Sequence, residues 1–194
     1  MIVGKVWVIM NENFKKIGEQ MIFAILFPSI IGFLVVLSVV LFLTIHIKSV
    51  IKAQNEKVRN NIFKGEFIYY KNFEMNWITS RYGNKGVSGY KCNDTSGCYV
   101  ILIFGNIVEN EKYDNFDNVY IGQSINICKR VHSHFTGKGK GDIYADIKYG
   151  KEAYVQFIPS PIEDMNKLEK ELIRSFNAQT SYNNTRGGGI VRSN

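Results

Sequence analysis

Hydrophobic positions fall into distinct regimes along the chain. From Met21 to Ile47 there is no Asp, Glu, Lys or Arg. As a helix rising about 1.5 Å per residue, that run would reach about 40 Å, more than the roughly 30 Å hydrocarbon core of a bilayer. It predicts one transmembrane helix over 21–47, tilted or bent, with Pro28 and Gly32 at the bend. A cleaved signal peptide would carry a shorter apolar region, about 7–15 residues, and small residues at a cleavage site. This run instead ends Leu43-Thr44-Ile45-His46-Ile47-Lys48. A buried globular helix of this length would need a larger core than the chain can build. Residues 1–20 read as a short mixed segment. Its apolar start, Met1 to Met10, is too short to span and fits the membrane interface, with Trp7 as an anchor. Ser49 to Phe63 lacks Gly and Pro and sets Val50, Ala53, Val58 and Ile62 in an imperfect helical stripe, so the helix is expected to continue. Gly65 and the aromatics Phe67, Tyr69, Tyr70, Phe73 and Trp77 then mark either a small accessory unit or the lead-in strand of the next domain. Gly83 to Gly97 is rich in Gly, Ser, Asn and Asp and reads as a loop.

The last regime alternates. Cys98 to Phe104 is a near-continuous apolar run, fitting a central buried strand. Asn118 to Gly122 is its hairpin partner, with the long connection from Gly105 to Asp117 taken up by an extended hairpin or an inserted loop. Ser124 and Asn126 can cap a helix running to about Phe135. Thr136 to Asp142 is a loop, Ile143 to Tyr149 a second helix, and Ala153 to Ile158 a third strand ended by Pro159 and Pro161. Ile162 to Phe176 predicts a third helix with Leu168, Leu172, Ile173 and Phe176 on one face. The order β-β-α-α-β-α makes an α/β fold, a small three-stranded mixed sheet flanked by helices. The organisation is thus 1–20, a short N-terminal segment; 21–47, the span; 48–96, a basic juxtamembrane stalk and lead-in; and 97–189, the α/β domain.

Charge sharpens this division. The formal net charge is +7, yet residues 97–194 carry twelve Lys or Arg against eleven Asp or Glu. Residues 1–96 carry twelve against six. Lys48, Lys52, Lys57, Arg59 and Lys64 follow the span closely, while Lys5, Lys15 and Lys16 precede it. Basic flanks mark the cytoplasmic side, so the expected topology is N-out, C-in, a single pass with the C-terminal domain in the cytoplasm. The same stretch attracts anionic lipid head groups, and nucleic acid as a second choice. The three cysteines, Cys92, Cys98 and Cys128, are expected as free thiols, with Cys128 a small hydrophobe in mid-helix. A Cys92–Cys98 disulfide would argue for an outside location. No pair of CxxC motifs supports a zinc site.

Four side chains of the C-terminal half are candidates for chemistry. Tyr99 and Tyr120 carry phenols whose ordinary pKa is about 10, so neither is a ready base without help. Arg130 offers a permanently charged fork that matches phosphate oxygens. His134 lies one helical turn on, sharing a face with Arg130, and can relay a proton near neutral pH. His132 lies off that face, and a His-x-His pair does not align on a helix, so a histidine metal site is discounted. Each of these residues also has an ordinary reading, as a packing tyrosine or a solvated helix side chain.

Gly97-Cys98-Tyr99, Tyr120-Ile121-Gly122, the helix Ser124 to His134, Leu168-Glu169-Lys170-Glu171-Leu172-Ile173 and Tyr182-Asn183 together resemble the GIY-YIG nuclease domain. Arg130 falls ten residues after Tyr120 and His134 four beyond that. The resemblance spans about Gly97 to Gly189. It implies a DNA endonuclease with Tyr99, Tyr120, Arg130, His134 and Glu169 as catalytic residues, and Asn126, Arg130 and Asn183 at the substrate. One phenol would contact or deprotonate the attacking water, with Tyr120 favoured. The Leu-Glu-x-x-Leu-Ile match selects Glu169 over Glu171 as the ligand of one Mg²⁺ (or Mn²⁺), and no small-molecule cofactor is implied. Helix geometry agrees, since Glu169 sits at the edge of the buried stripe and Glu171 on the solvent side. Asn183 would orient a loop or bind phosphate, with Asn184 as a one-residue alternative because the family's preceding proline is missing. Thr185-Arg186-Gly187-Gly188-Gly189 resembles the Gly-Gly tail of phage and homing-type members, or is simply a flexible terminus. The other implied readings are a membrane-tethered nucleic-acid-binding module with weak catalysis, and an outward-facing nuclease acting on external DNA.

Overall fold

The computed structural model describes residues 2–81, 95–109, 112–184 and 187. Within the first two helices, the side chains of residues 2–14, 17–18, 22–30 and 77–81 are not described. The chain divides into two compact units, residues 1–52 and 53–194.

The first unit is helical. Helix α1 runs from Ile2 to Phe63, about 93 Å at the standard rise. It passes through Pro28 and Gly32 without interruption, and it takes in residues 2–20. Helix propagation adds one hydrogen bond per residue fixed, so a short segment next to a long helix joins it at little cost. The run beyond Ile31 is long and apolar enough to cross a membrane, and none of it is buried. Leu34, Val36, Phe42 and Ile45 are among the exposed side chains. A span or a signal sequence satisfies that description equally.

The second unit begins inside the last turns of α1. Val58, Ile62 and Phe63 pack on its core, as the stripe after the apolar run anticipated. Strand β1 (Ile68–Tyr69) and helix α2 (Tyr70–Arg81) follow. Phe67 and Phe73 are buried, so the aromatic cluster belongs to the α/β fold. Then come β2 (Gly97–Phe104), β3 (Asn118–Ser124), α3 (Ile127–Phe135), α4 (Gly141–Lys148), β4 (Glu152–Pro159), α5 (Ile162–Ser175) and a 3₁₀ turn at Ala178–Thr180.

Among the described residues the strands form one sheet in the order β1-β4-β2-β3. All three pairings are antiparallel. The expected three-stranded mixed sheet is thus corrected to four antiparallel strands. The added strand is two residues long, below the length at which alternation can be read. β4 follows α4 back along β2 in the opposite direction, so no parallel pair forms.

Strand β2 is buried along its whole length, with a layer on each side. Tyr99, Ile101 and Ile103 face a core shared with Phe73, Ile127, Val131, Phe135 and Ile143. Cys98, Val100, Leu102 and Phe104 face the other core, with Ile121, Leu172, Ile173 and Phe176. Burial on both faces explains why β2 reads as a continuous apolar run. The long β2–β3 connection is covered by aromatic packing of Tyr113 on Phe67 and Phe116 on Phe63.

Candidate active site

Register decides which side chains meet. Tyr99 pairs with Gly122, and Ile101 with Tyr120. Residues directly opposite share a face, and the diagonal neighbour lies within reach of an aromatic ring. Tyr99 and Tyr120 therefore share the α3 face, their ring centroids 6.2 Å apart. Gly122 leaves room for the Tyr99 ring, since a Cβ there would lie 2.3 Å from the Tyr99 hydroxyl.

Helix α3 delivers the next two groups. Its N-cap is Asn126, whose Oδ1 accepts from the Lys129 amide at 3.0 Å. That start turns Ile127, Cys128, Val131, His134 and Phe135 inward and leaves Arg130 exposed. The Nε2 of His134 lies 2.8 Å from the Tyr99 hydroxyl. Its Nδ1 accepts from the Lys140 amide at 2.7 Å. An acceptor nitrogen carries no proton in neutral imidazole, so the hydrogen sits on Nε2 and points at Tyr99. Gly139 makes this approach possible, because a Cβ there would lie 2.4 Å from the His134 Nδ1.

Burial, with the Arg130 and Lys140 charges adding to it, lowers the His134 pKa to about 3. His134 is then neutral across the physiological range. Burial and the two cations disfavour the imidazolium, and the geometry makes His134 a hydrogen-bond donor to Tyr99. Burial also raises Tyr99 well above the ordinary phenol value, with the neighbouring Tyr120 adding to the rise while Arg130 opposes it. Tyr120 is raised too, chiefly by burial; Arg130, a hydrogen bond from Tyr99 and Lys140 pull it down, and Glu169 pushes it up. His134 thus donates to the Tyr99 hydroxyl, and the Tyr120 ring packs beside both.

Glu169 arrives from the other layer. It is buried on α5. Alternation along β3 puts Gln123 opposite Cys98, on the α5 side. Gln123 Nε2 donates to Asn166 Oδ1 at 2.7 Å and to Glu169 Oε2 at 3.2 Å. Asn166 and Glu169 lie three apart on α5, so they share a face. The Glu169 charge contributes to the raised values of Cys98, pushed up to about 12 mainly by burial, and of both phenols. Among the described residues no three His, Cys, Asp or Glu gather as a metal cluster. The donors near Glu169 are carboxamide oxygens, and Gln123 Oε1 is buried with no hydrogen-bond partner among the described residues. One carboxylate with neutral oxygens suits a hard divalent cation that keeps most of its water.

The remaining candidates are placed differently. Asn183 is buried, its Oδ1 accepting from the Ile121 amide at 2.8 Å and its Nδ2 donating to the Ile121 carbonyl at 2.6 Å. Together with Ser181, which accepts from the Val119 amide, it completes the outer edge of β3, where unpaired backbone groups are costly. Asn184 is exposed. Of the glycine tail only Gly187 is described; a Cβ there would lie 3.0 Å from Glu169 Oε2. The Tyr182 hydroxyl donates to Asp146 on α4. His132 turns away to Glu74 at 2.8 Å, as its place off the Arg130 face implied.

The cysteines need a correction. Cys98 is free and buried, but Cys128 is disulfide-bonded. Its partner falls outside the described residues, as does Cys92. Spacing alone does not show which sulfurs approach, because the chain segment joining them can fold back in many ways. Lys140, Gln123 and Asn166 were also missed. A lysine in a glycine loop and two surface-type amides carry no periodic signal.

Two phenols, a guanidinium and a carboxylate lie where β2 and β3 meet the helices, residue types that phosphodiester hydrolysis can use. Residues 96–183 match the family model of the GIY-YIG catalytic domain, and the chain carries a domain of this family, whose members are phosphodiester-hydrolysing nucleases. Among curated proteins and among solved structures, none matches the chain.

Proposed function

We propose that this chain is a membrane-anchored endonuclease that hydrolyses DNA phosphodiester bonds with one divalent cation, Mg²⁺ or Mn²⁺, held by Glu169. The observation that carries the reading is His134 Nε2 lying 2.8 Å from the Tyr99 hydroxyl with the Tyr120 ring packed against both, which we read as a donor chain His134–Tyr99–Tyr120. Each donor in it stabilises negative charge on the next oxygen, and Tyr120 is the end that accepts. Tyr120 is therefore the general base, taking a proton from the attacking water. Tyr99 and His134 hold its phenol in place and stabilise the phenolate as it forms. Arg130 is exposed where it can clamp the scissile phosphate, and its charge opposes the rise in both phenol pKa values. The cation supplies charge stabilisation at the phosphoryl oxygens when bound. Asn126 keeps α3, and hence Arg130, in register, and Asn183 supports β3 behind Tyr120.

Anchoring rests on the exposed apolar helix, and the five basic residues after it favour a cytoplasmic catalytic domain on anionic lipid. The outward-facing alternative has one specific observation in its favour, the disulfide at Cys128, since such bonds persist in oxidising compartments.

The direct test is cleavage of single-stranded, duplex and branched DNA by the full chain in detergent. Activity with Mg²⁺ and silence in EDTA are expected. Glu169→Ala and Arg130→Ala should each abolish cleavage with the fold intact, while Glu171→Ala keeps most activity. Equal activity in EDTA, or a dead Glu171→Ala beside a live Glu169→Ala, refutes the reading.

A further inference from the structure

Gln123 is the residue for which neither the tyrosine chain nor the phosphate clamp has a use. Its Nε2 is spent on Asn166 Oδ1 at 2.7 Å and Glu169 Oε2 at 3.2 Å. Its Oε1 is buried and has no hydrogen-bond partner among the described residues. A buried carbonyl oxygen without a hydrogen bond forfeits its solvation, so it calls for a physical explanation. An amide flip does not provide one. Exchanging the two atoms would aim the oxygen at the Asn166 and Glu169 oxygens, acceptor against acceptor. The orientation is therefore fixed by Asn166 and Glu169, and Oε1 is the atom left over.

We infer that Gln123 is a positioning residue of the Glu169 cation site, its Oε1 accepting a hydrogen from a water in the cation's hydration shell. The inference rests on the reading of Glu169 as the metal ligand. Three features support it. Mg²⁺ gives up its waters reluctantly, so a site with one carboxylate must grip the hydrated ion through acceptors that bond those waters. Waters on a divalent cation are strong donors, and a neutral carbonyl oxygen is the complement that adds no further charge beside Glu169. Gln123 also couples the two halves of the site. It lies on β3 three residues after Tyr120, and it holds the carboxylate of α5 through Nε2. The ordinary alternative is that Gln123 only braces α5 against the sheet, with Oε1 an incidental orphan.

The test is Mn²⁺ binding to the full chain in detergent, read by EPR titration without DNA. Thermal unfolding in EDTA is followed in parallel. Gln123→Ala and the more volume-conserving Gln123→Met should weaken Mn²⁺ binding by about tenfold to a hundredfold, the usual cost of losing an outer-shell partner. Glu169→Ala should remove binding. Arg130→Ala should leave affinity within about twofold, which shows that the loss is not general damage. Wild-type affinity in both Gln123 variants, with lowered stability in EDTA, would overturn the inference and leave Glu169 as the ligand. Unchanged binding in Glu169→Ala would overturn the reading of the carboxylate itself, and the inference with it.

Discussion

Gly122→Ala tests the geometry of the site through a single methyl group. The added Cβ would lie 2.3 Å from the Tyr99 hydroxyl, 2.5 Å from Cζ and 3.1 Å from Cε2. Comfortable carbon contacts lie at about 3.5–4.0 Å, so the ring must retreat by roughly 1 Å or more. Tyr99 is fully buried and tied to His134 at 2.8 Å, so it cannot move alone. Overpacking of this kind costs about 1–3 kcal/mol. For a unit of this size each kcal/mol lowers Tm by roughly 2–4 °C, giving a fall of roughly 2–12 °C. The catalytic loss should be larger than the stability loss suggests. A displacement of about 1 Å in a positioned group can cost on the order of a hundredfold in rate. The assay is single-turnover cleavage at a temperature where circular dichroism shows the variant folded. Wild-type Tm and wild-type rate in Gly122→Ala would refute the placement of Tyr99 across β3, and the donor chain with it.

Three further outcomes follow from the same structure. Tyr120 is raised above the ordinary phenol value, so it is mostly protonated at neutral pH, and the cleavage rate should climb about tenfold per pH unit through the mildly alkaline range; a bell-shaped profile with a histidine inflection near 6.5 would sink this assignment. His134 titrates at about 3 in the fold and near 6.5 when unfolded, so the unfolded chain binds the extra proton first; stability is full above pH 6.5 and is lost as pH falls toward 3. His134→Asn should flatten that loss in acid-unfolding curves, and an unchanged slope would contradict it. Asn183→Ala leaves the buried Ile121 amide without its partner, at a cost of about 1–3 kcal/mol by chemical denaturation; loss of activity with wild-type stability would instead mark Asn183 as a substrate contact. Membrane-impermeant maleimide on intact cells, with and without prior reduction, reports the side on which the domain lies; labelling of Cys92 before lysis, with or without reduction, establishes the outward topology.

Much of this protein was legible along the chain because the signals were local. Absence of charge from Met21 to Ile47 marks a long apolar helix, and from Ile31 on none of that run is buried. Alternation and helical stripes placed β2, β3, β4, α3 and α5 nearly to the residue. Spacing put Arg130 and His134 on one face of α3 before any contact was known. The tertiary structure decided what depends on register and approach. Only the pairing of Tyr99 with Gly122 brings the two phenols together on one face. Only the return of the Lys140 amide to His134 Nδ1 settles which nitrogen carries the hydrogen, and burial then removes its titration from the physiological range. Only the approach of the C-terminal segment to β3 puts Asn183 against the backbone of Ile121. The sheet's fourth strand, the bond at Cys128 and the orphan oxygen of Gln123 likewise belong to long-range packing. Sequence order constrains neighbours through fixed helical and strand periods, while contacts between distant segments depend on how whole layers close on each other.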